Sequence, residues 1–294
     1  MKVLIVDAMP LAYKTFAAVG HLSTSSGVPT GMRFGFLRSL NSWAKLFALN
    51  EVIICWDTPH PIKKAAGVET YKADREITES KKTMFSQLAD LKAMLALTKY
   101  DQVEAPGYEA DDLCATLARI EEAKGNSVTI ATVDRDLFSV VSDNVKVLHT
   151  SGANSLIDPL MVVSEFDCVP HLVPAHKAVL GDVSDNIAPL IGGHIADAFK
   201  MKLKNRPDLT SEQLISDFWS QLDSLDLEKA FSNLRMTSLC DVPEHDMTFT
   251  RGTSDVDGLT SMFQKLEFKS MMAHIQLLTD KNFIHSPTKG KSKK

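Results

Sequence analysis

Along the first half of the chain, short and mostly apolar runs recur at residues 3–6, 52–56, 128–133 and 145–148. They are rich in Val and Ile and contain no Gly or Pro, the pattern of strands buried on both faces. Longer stretches at 32–49, 77–98 and 111–124 separate them and read as helices. In the last of these, Leu113, Leu117 and Ile120 fall at i, i+4 and i+7. Strand and helix patterns alternating in this way predict an α/β domain built on a parallel sheet in three layers.

After Pro159 the strand pattern stops and the chain reads as capped helices. Asp158-Pro159 precedes MVVSEF, Pro174 precedes AHKAVL, and Thr210-Ser211-Glu212 opens QLISDFW. Residues 258–278 carry Leu259, Met262, Phe263, Leu266 and Met271 at roughly helical spacing. The expected organisation is a first domain over 1–160, an all-helical domain over 161–284 and a basic, unordered tail over 285–294.

Composition narrows the class. The 294 residues, 44% hydrophobic and 23% charged, are ordinary for globular chains and exclude fibrous or disordered ones. No apolar run reaches membrane-spanning length, and the opening MKVLIVDAMP reads as a strand rather than a signal segment. Four cysteines without a C-x-x-C spacing announce neither a disulfide framework nor a zinc site, so a reducing cytoplasm is expected. A net charge of −5 argues against a simple nucleic-acid coat, unless acids gather in one site and bases along one face.

The acids do gather. Asp7, Asp57 and Asp134 each end an apolar strand pattern, and Asp136 follows two residues on. In open parallel sheets, ligands bind beyond the carboxyl ends of the strands. A helix cap or turn explains any one of these aspartates; three together are harder to explain that way. Glu109, Asp111 and Asp112 open a helix in GYEADD, where the helix dipole favours one or two acids but crowding disfavours three without a cation. Asp182 and Asp185 stand in GDVSDN, a turn or helix start. Nine acids with oxygen donors suit Mg²⁺ or Mn²⁺, and two such ions about 3.5–4 Å apart form the clamp of many phosphodiester-cleaving enzymes.

Other chemistries lack their residues. There is no Walker loop, dinucleotide-binding glycine motif, nucleophile elbow or H-E-x-x-H. An aspartyl phosphatase would want a second aspartate where Met9 stands, and would leave Asp111 and Asp112 idle. After Asp57 come Lys63, Lys64, Tyr71, Lys72, Arg75, Lys81 and Lys82; they read either as a solvated helix entry or as a phosphate-gripping segment. Tyr13 and Lys14 offer a ring and a cation beside the first strand, although core packing explains Tyr13 equally well.

In order along the chain, VDAMPLAYKTF, TSSGVPTGMRFGFLRSL, WDTP with YKADR, PGYEADDLCATLA, TVDRDLFSVVSDNVKVLH, GDVSDNI and KLEFKSMM resemble the motifs of the 5′ nucleases, or flap endonucleases. These are the enzymes fused to bacterial DNA polymerase I and found free-standing in phages. The resemblance runs to about residue 278. It implies a PIN-like parallel-sheet domain, a helical arch over about 60–100, and a helical domain with a helix–two-turn–helix motif that grips duplex DNA. It implies Mg²⁺-dependent 5′–3′ exonuclease and flap cleavage, leaving 5′-phosphates, in replication or repair. By matched position, Asp7, Asp57, Glu109 and Asp111 would serve a first metal. Asp112, Asp134, Asp136, Asp182 and Asp185 would serve a second, some through water. Lys72 and Arg75 would contact the scissile phosphate.

The implied partners are DNA with a free 5′ end or flap, an RNA primer, and a DNA polymerase acting in trans. The protein is expected to be a monomer away from membranes, in the cytoplasm, or the host cytoplasm if phage-encoded. One stretch departs from the family: after GDVSDNI the usual G-V-x-G-I-G plus a basic residue is replaced by Ala188-Pro189-Leu190-Ile191-Gly192-Gly193-His194-Ile195. Gly192 and Gly193 are the candidates for duplex and K⁺ binding at that hairpin, and their changed spacing leaves the duplex grip open. Two alternatives remain: a non-catalytic DNA-junction binder on the same fold, and an RNA nuclease of the wider PIN group.

Overall fold

The computed structural model describes residues 1–59, 79–222 and 226–280. Lys63, Lys64, Tyr71, Lys72 and Arg75 lie outside the described residues.

Among the described residues, seven strands form one sheet in the order β6-β5-β4-β1-β2-β3-β7. They are β1 (Lys2–Asp7), β2 (Glu51–Trp56), β3 (Asp101–Glu104), β4 (Ser127–Thr132), β5 (Val145–His149), β6 (Ser155–Ile157) and β7 (Thr248–Thr250). The five from β1 to β5 are parallel, and β6 and β7 close the two edges antiparallel. Strand β1 is central: Val3, Leu4, Ile5 and Val6 are wholly buried, as the uninterrupted apolar run requires.

Alternate side chains of these strands feed two cores. Val3, Ile5, Ile53, Cys55, Val128, Ile130 and Val147 face one. It is completed by α5 (Ala110–Ala123), α7 (Val173–Leu180), α8 (Gly193–Asn205), α9 (Ser211–Trp219) and α10 (Leu227–Thr237), with α6 (Pro159–Phe166) at its margin. Leu4, Val6, Val52, Ile54 and Trp56 face the other, which is covered by α1 (Ala8–Val19), α2 (Gly31–Phe47), α4 (Leu88–Ala96), α11 (Val256–Lys265), α12 (Lys269–Met272) and α13 (Ile275–Thr279).

Helix α1 and strands β3 and β6 are elements for which the pattern gives no expectation, and two expectations are changed. The expected helix over 77–98 is two helices, α3 (Glu79–Phe85) and α4, parted at Ser86-Gln87. Strand pairing also resumes after residue 159: β7 joins β3, and α11–α13 pack on the same face as α2. Three residues paired on one side carry too little periodicity to be seen in sequence.

Two local devices hold the frame. A Cβ at Gly35 would lie 2.8 Å from Thr15 Cβ and 2.9 Å from Val19 Cγ2, so glycine permits α1 and α2 to touch. Arg33 is buried; its guanidinium donates to the Asp90 carboxylate and to Pro29 O, tying the start of α2 to α4.

Candidate metal centre

The carboxylates converge where strands β1, β2 and β4 end. Asp7 is the last residue of β1 and is buried. Its Oδ2 accepts from Thr132 Oγ1 (2.8 Å), the terminal residue of the adjacent β4. The same hydroxyl accepts from Asp134 N (2.9 Å), so one threonine fixes both Asp7 and the turn carrying Asp134. Asp134 Oδ1 in turn accepts from Asp136 N (2.8 Å), which opens a 3-10 turn over Asp136–Val140.

The GYEADD acids sit at the start of α5. Asp57, exposed just past β2, accepts from Ala110 N through Oδ1 (3.0 Å) and thereby caps that helix from another strand. Asp112 Oδ2 reaches back to Glu109 N (3.2 Å), and its Oδ1 accepts from Cys240 N (2.8 Å). Asp111 Oδ1 accepts from Asp112 N (2.7 Å). The capping explanation and the metal explanation of this motif therefore coexist: Asp112, almost fully buried, holds α5 and the 240 segment in place while standing among the acids.

The third cluster is carried by the loop after α7. Gly181 has φ 93°, and a Cβ there would meet Pro189 N at 2.9 Å. Asp182 and Ile187 exchange backbone hydrogen bonds of 2.9 and 2.8 Å, closing a tight turn around Val183–Asn186. Asp182 Oδ1 accepts from Ser184 N (2.9 Å) and Ser184 Oγ (2.5 Å).

Among the described residues three overlapping groups result: Glu109–Asp111–Asp112, Asp111–Asp134–Asp136 and Asp136–Asp182–Asp185. In each group one oxygen from every member lies within 4.8 Å of the others. Asp111 and Asp136 are shared, so the groups form a chain. The donors are hard oxygens suited to divalent cations of the Mg²⁺ type. Burial, then Cys55, Asp7 and Asp111, push the nearby Cys114 thiol well above the ordinary thiol range.

One functional candidate was absent from the pattern reading. Lys177 on α7 is buried; its ammonium donates to the Asp136 carboxylate and forms an ion pair with Asp182 Oδ2 at 2.7 Å. The only signal was a single lysine inside the apolar run VPAHKAVL. Burial opposes its charge, but Asp136 and Asp182 outweigh that and hold Lys177 above its ordinary value. Asp182 is held below the ordinary carboxylate range by Lys177 and Ser184, against burial. Asp136 is pushed up to about 7 by burial and by Asp134, with Lys177 pulling the other way.

Of the other candidates, Tyr13 is partly exposed and meets Phe85 edge-on at 6.3 Å. Lys14 is engaged within the protein: Nζ donates to Thr150 O (2.6 Å) and Asn154 Oδ1 (3.1 Å). Lys81 lies on α3, and Lys82 beside it pairs with Glu79 at 2.6 Å on an open surface. Gly192 is the N-cap of α8 and Gly193, with φ 53°, its first residue; open space surrounds both. A cavity of 220 Å³ lined by Glu51, Lys99 and Tyr100 lies at the other end of the strands, remote from the acids.

The profile of the 5′-3′ exonuclease N-terminal resolvase-like domain matches residues 2–167, more than half of the chain. The chain belongs to the 5′–3′ exonuclease family. A 5′-3′ exonuclease of Aquifex aeolicus is 30% identical over 280 residues, covering 92% of this chain and 94% of that protein. A thermostable DNA polymerase I of Thermus thermophilus is 34% identical over 287 residues. The match covers 94% of this chain but 33% of the polymerase, so this member of the family spans about a third of the length of such relatives. Among solved structures, the T5 D15 protein co-crystallised with metal ions superposes with a TM-score of 0.65 at 17% identity, covering 94% of this chain and 99% of that one. The catalytic core of Rad2 in complex with DNA substrate gives 0.54 at 17% identity, covering 94% and 92%. These two share the fold. Among the described residues, no helix of this exonuclease-family chain is long and apolar enough to cross a membrane.

Proposed function

We propose that this chain is a structure-specific 5′ nuclease that hydrolyses DNA phosphodiesters with two Mg²⁺ or Mn²⁺ ions, as a 5′–3′ exonuclease and flap endonuclease. The observation that carries this reading is the linked series of acid groups from Glu109 to Asp185 at the carboxyl edge of the sheet. A protein that only bound DNA junctions would gain nothing from the seven acids of that series, since each repels phosphate.

Divalent ions at such a site lower the pKa of a bound water and offset charge on the attacking and leaving oxygens. The chain's own residues prepare that chemistry. Asp7, Asp57, Glu109 and Asp111 are assigned the first ion and Asp112, Asp134, Asp136, Asp182 and Asp185 the second; Glu109, Asp111 and Asp112 begin the linked series and Asp136, Asp182 and Asp185 end it, while Asp7 and Asp57 stand outside those groups at the ends of β1 and β2. Thr132 keeps Asp7 and Asp134 at fixed separation, so little reorganisation is needed when substrate arrives. Lys72 and Arg75 are assigned the scissile phosphate. Tyr13 is assigned a stacking surface for a base near the cut, since its ring is partly exposed beside Phe85. Lys63, Lys64, Lys81 and Lys82 are assigned backbone phosphates, and Gly192 and Gly193 the duplex, with K⁺ the candidate ion at that hairpin.

The proposed substrates are DNA with a free 5′ end or flap and RNA primers, and a DNA polymerase in trans is the proposed partner. The test is a 5′-labelled flap oligonucleotide incubated with the full chain. Release of a short 5′ fragment that requires Mg²⁺ or Mn²⁺ supports the reading; tight flap binding without cleavage in either ion would replace it with the junction-binding alternative.

A further inference from the structure

Lys177 is a buried cation among carboxylates that the reading above assigns to metal. Its side chain is 6% exposed, and both its partners, Asp136 and Asp182, belong to the Asp136–Asp182–Asp185 group. The partners come from separate elements: Asp136 opens the turn after β4, and Asp182 follows α7. The ammonium reaching from α7 joins them.

The lysine is itself rigidly placed. Gly181 N donates to Lys177 O (3.0 Å), Leu190 N to Val179 O (2.9 Å), Asn233 Nδ2 to Ala178 O (2.9 Å) and Thr237 Oγ1 to Pro174 O (3.0 Å). Helix α7 is thus tied to the loop that follows it and to α10. A buried ion cluster is difficult to account for as a stabiliser alone, because well-packed apolar residues in place of the whole cluster would serve that purpose as well or better, whereas removing the lysine by itself leaves the carboxylates uncompensated.

We propose that Lys177 is a positioning residue for the second metal site, a built-in monovalent charge that gathers Asp136 and Asp182 before any divalent ion arrives and weakens that ion's hold once bound. The first effect follows from repulsion, because Asp134, Asp136, Asp182 and Asp185 crowd one another and one ammonium offsets one charge. The second follows from the same charge: a cation shared by the same carboxylates is bound against a fixed positive neighbour. A second ion that exchanges readily suits an enzyme that must release its 5′-phosphate product.

This rests on the two-ion reading, and the experiment separates the two. Mn²⁺ is titrated by calorimetry into the full chain without DNA, for the unsubstituted protein, Lys177→Met and Lys177→Arg, with melting temperatures taken with and without Mn²⁺. The expected result is Mn²⁺ binding by all three, tightened tenfold or more at one site in Lys177→Met. The metal-free melting temperature of Lys177→Met should fall and be largely regained with Mn²⁺. Lys177→Arg, which keeps the charge, should return to within about threefold of the unsubstituted affinity.

Unchanged affinity in Lys177→Met, or an arginine variant no different from the methionine one, overturns the proposal while leaving the site reading intact. A methionine variant that stays unfolded in saturating Mn²⁺ assigns Lys177 to packing and also overturns it. Absence of Mn²⁺ binding by the unsubstituted chain removes the site reading and this proposal together.

Discussion

Replacing Asp136 by Asn should make the metal-free protein more stable while abolishing its cleavage. Asp136 is shared by two of the acid groups and is buried. Burial and Asp134 raise its pKa from 3.8 to about 7 in spite of Lys177. With the folded value above the unfolded one, the stability associated with the bound proton is fully present below about pH 4 and is lost as pH rises through 7. Three units correspond to about 4 kcal/mol at most. Relaxation of the site, residual hydration and the lost ion pair with Lys177 bring a realistic figure nearer to 2 kcal/mol. Asparagine resembles the protonated acid in shape and charge, so it escapes the loss.

In EDTA at pH 8, Asp136→Asn should then melt about 4–6 °C above the unsubstituted chain. The gap should shrink as pH falls from 7 toward 5. Added Mg²⁺ should narrow or reverse it, because an intact site gains binding energy that the variant forgoes. Flap cleavage should drop at least about 100-fold. Thermal melts at four pH values between 5 and 8, with EDTA and with Mg²⁺, test every part. A variant less stable than the unsubstituted chain at pH 8 in EDTA, or a gap that ignores pH, would refute the reasoning.

Asp134→Ala should abolish cleavage and leave flap binding nearly unchanged in a gel-shift assay, because the carboxylate holds metal and repels phosphate. DNA affinity should fall steeply with salt in spite of the net charge of −5, and a flat dependence would count against a nucleic-acid substrate. Lys72→Ala should lower the single-turnover rate about 10²–10³-fold with little loss of binding, whereas Lys81→Ala should cost a few-fold, mainly in affinity; equal small effects would remove the catalytic role from Lys72. Phe199→Ala should destabilise the fold by about 3–5 kcal/mol in denaturant melts, since the ring is wholly buried against Phe218 at 5.0 Å and Trp219 at 6.2 Å.

What the sequence discloses here depends on how far apart in the chain the interacting groups lie. Asp7 and Asp57 are legible because each follows directly on an apolar strand, and neighbouring parallel strands must end on the same side. The fold class follows from the same alternation. The GYEADD cluster is legible as acids but not as geometry: that Asp112 would engage both Glu109 N and Cys240 N needs a contact spanning 128 residues. Strand β7 escapes notice for a related reason, since two exposed threonines around a half-buried Phe249 gain their conformation from β3, about 150 positions earlier.

The cations show the limit most sharply. Lys14 stands in a motif that suggests a phosphate contact, and its ammonium already donates to Thr150 O and Asn154 Oδ1, partners nothing in the sequence points to. Lys177 sits in an apolar helix with nothing in its neighbours to single it out, yet it stands among the carboxylates. Acids that bind metal must crowd one another, and crowding leaves a trace in composition and spacing. A lysine needs only one or two partners, which can come from anywhere in the chain, so its residue type says little until the fold supplies them. Positive charge at this site is therefore the part of the chemistry that the structure adds.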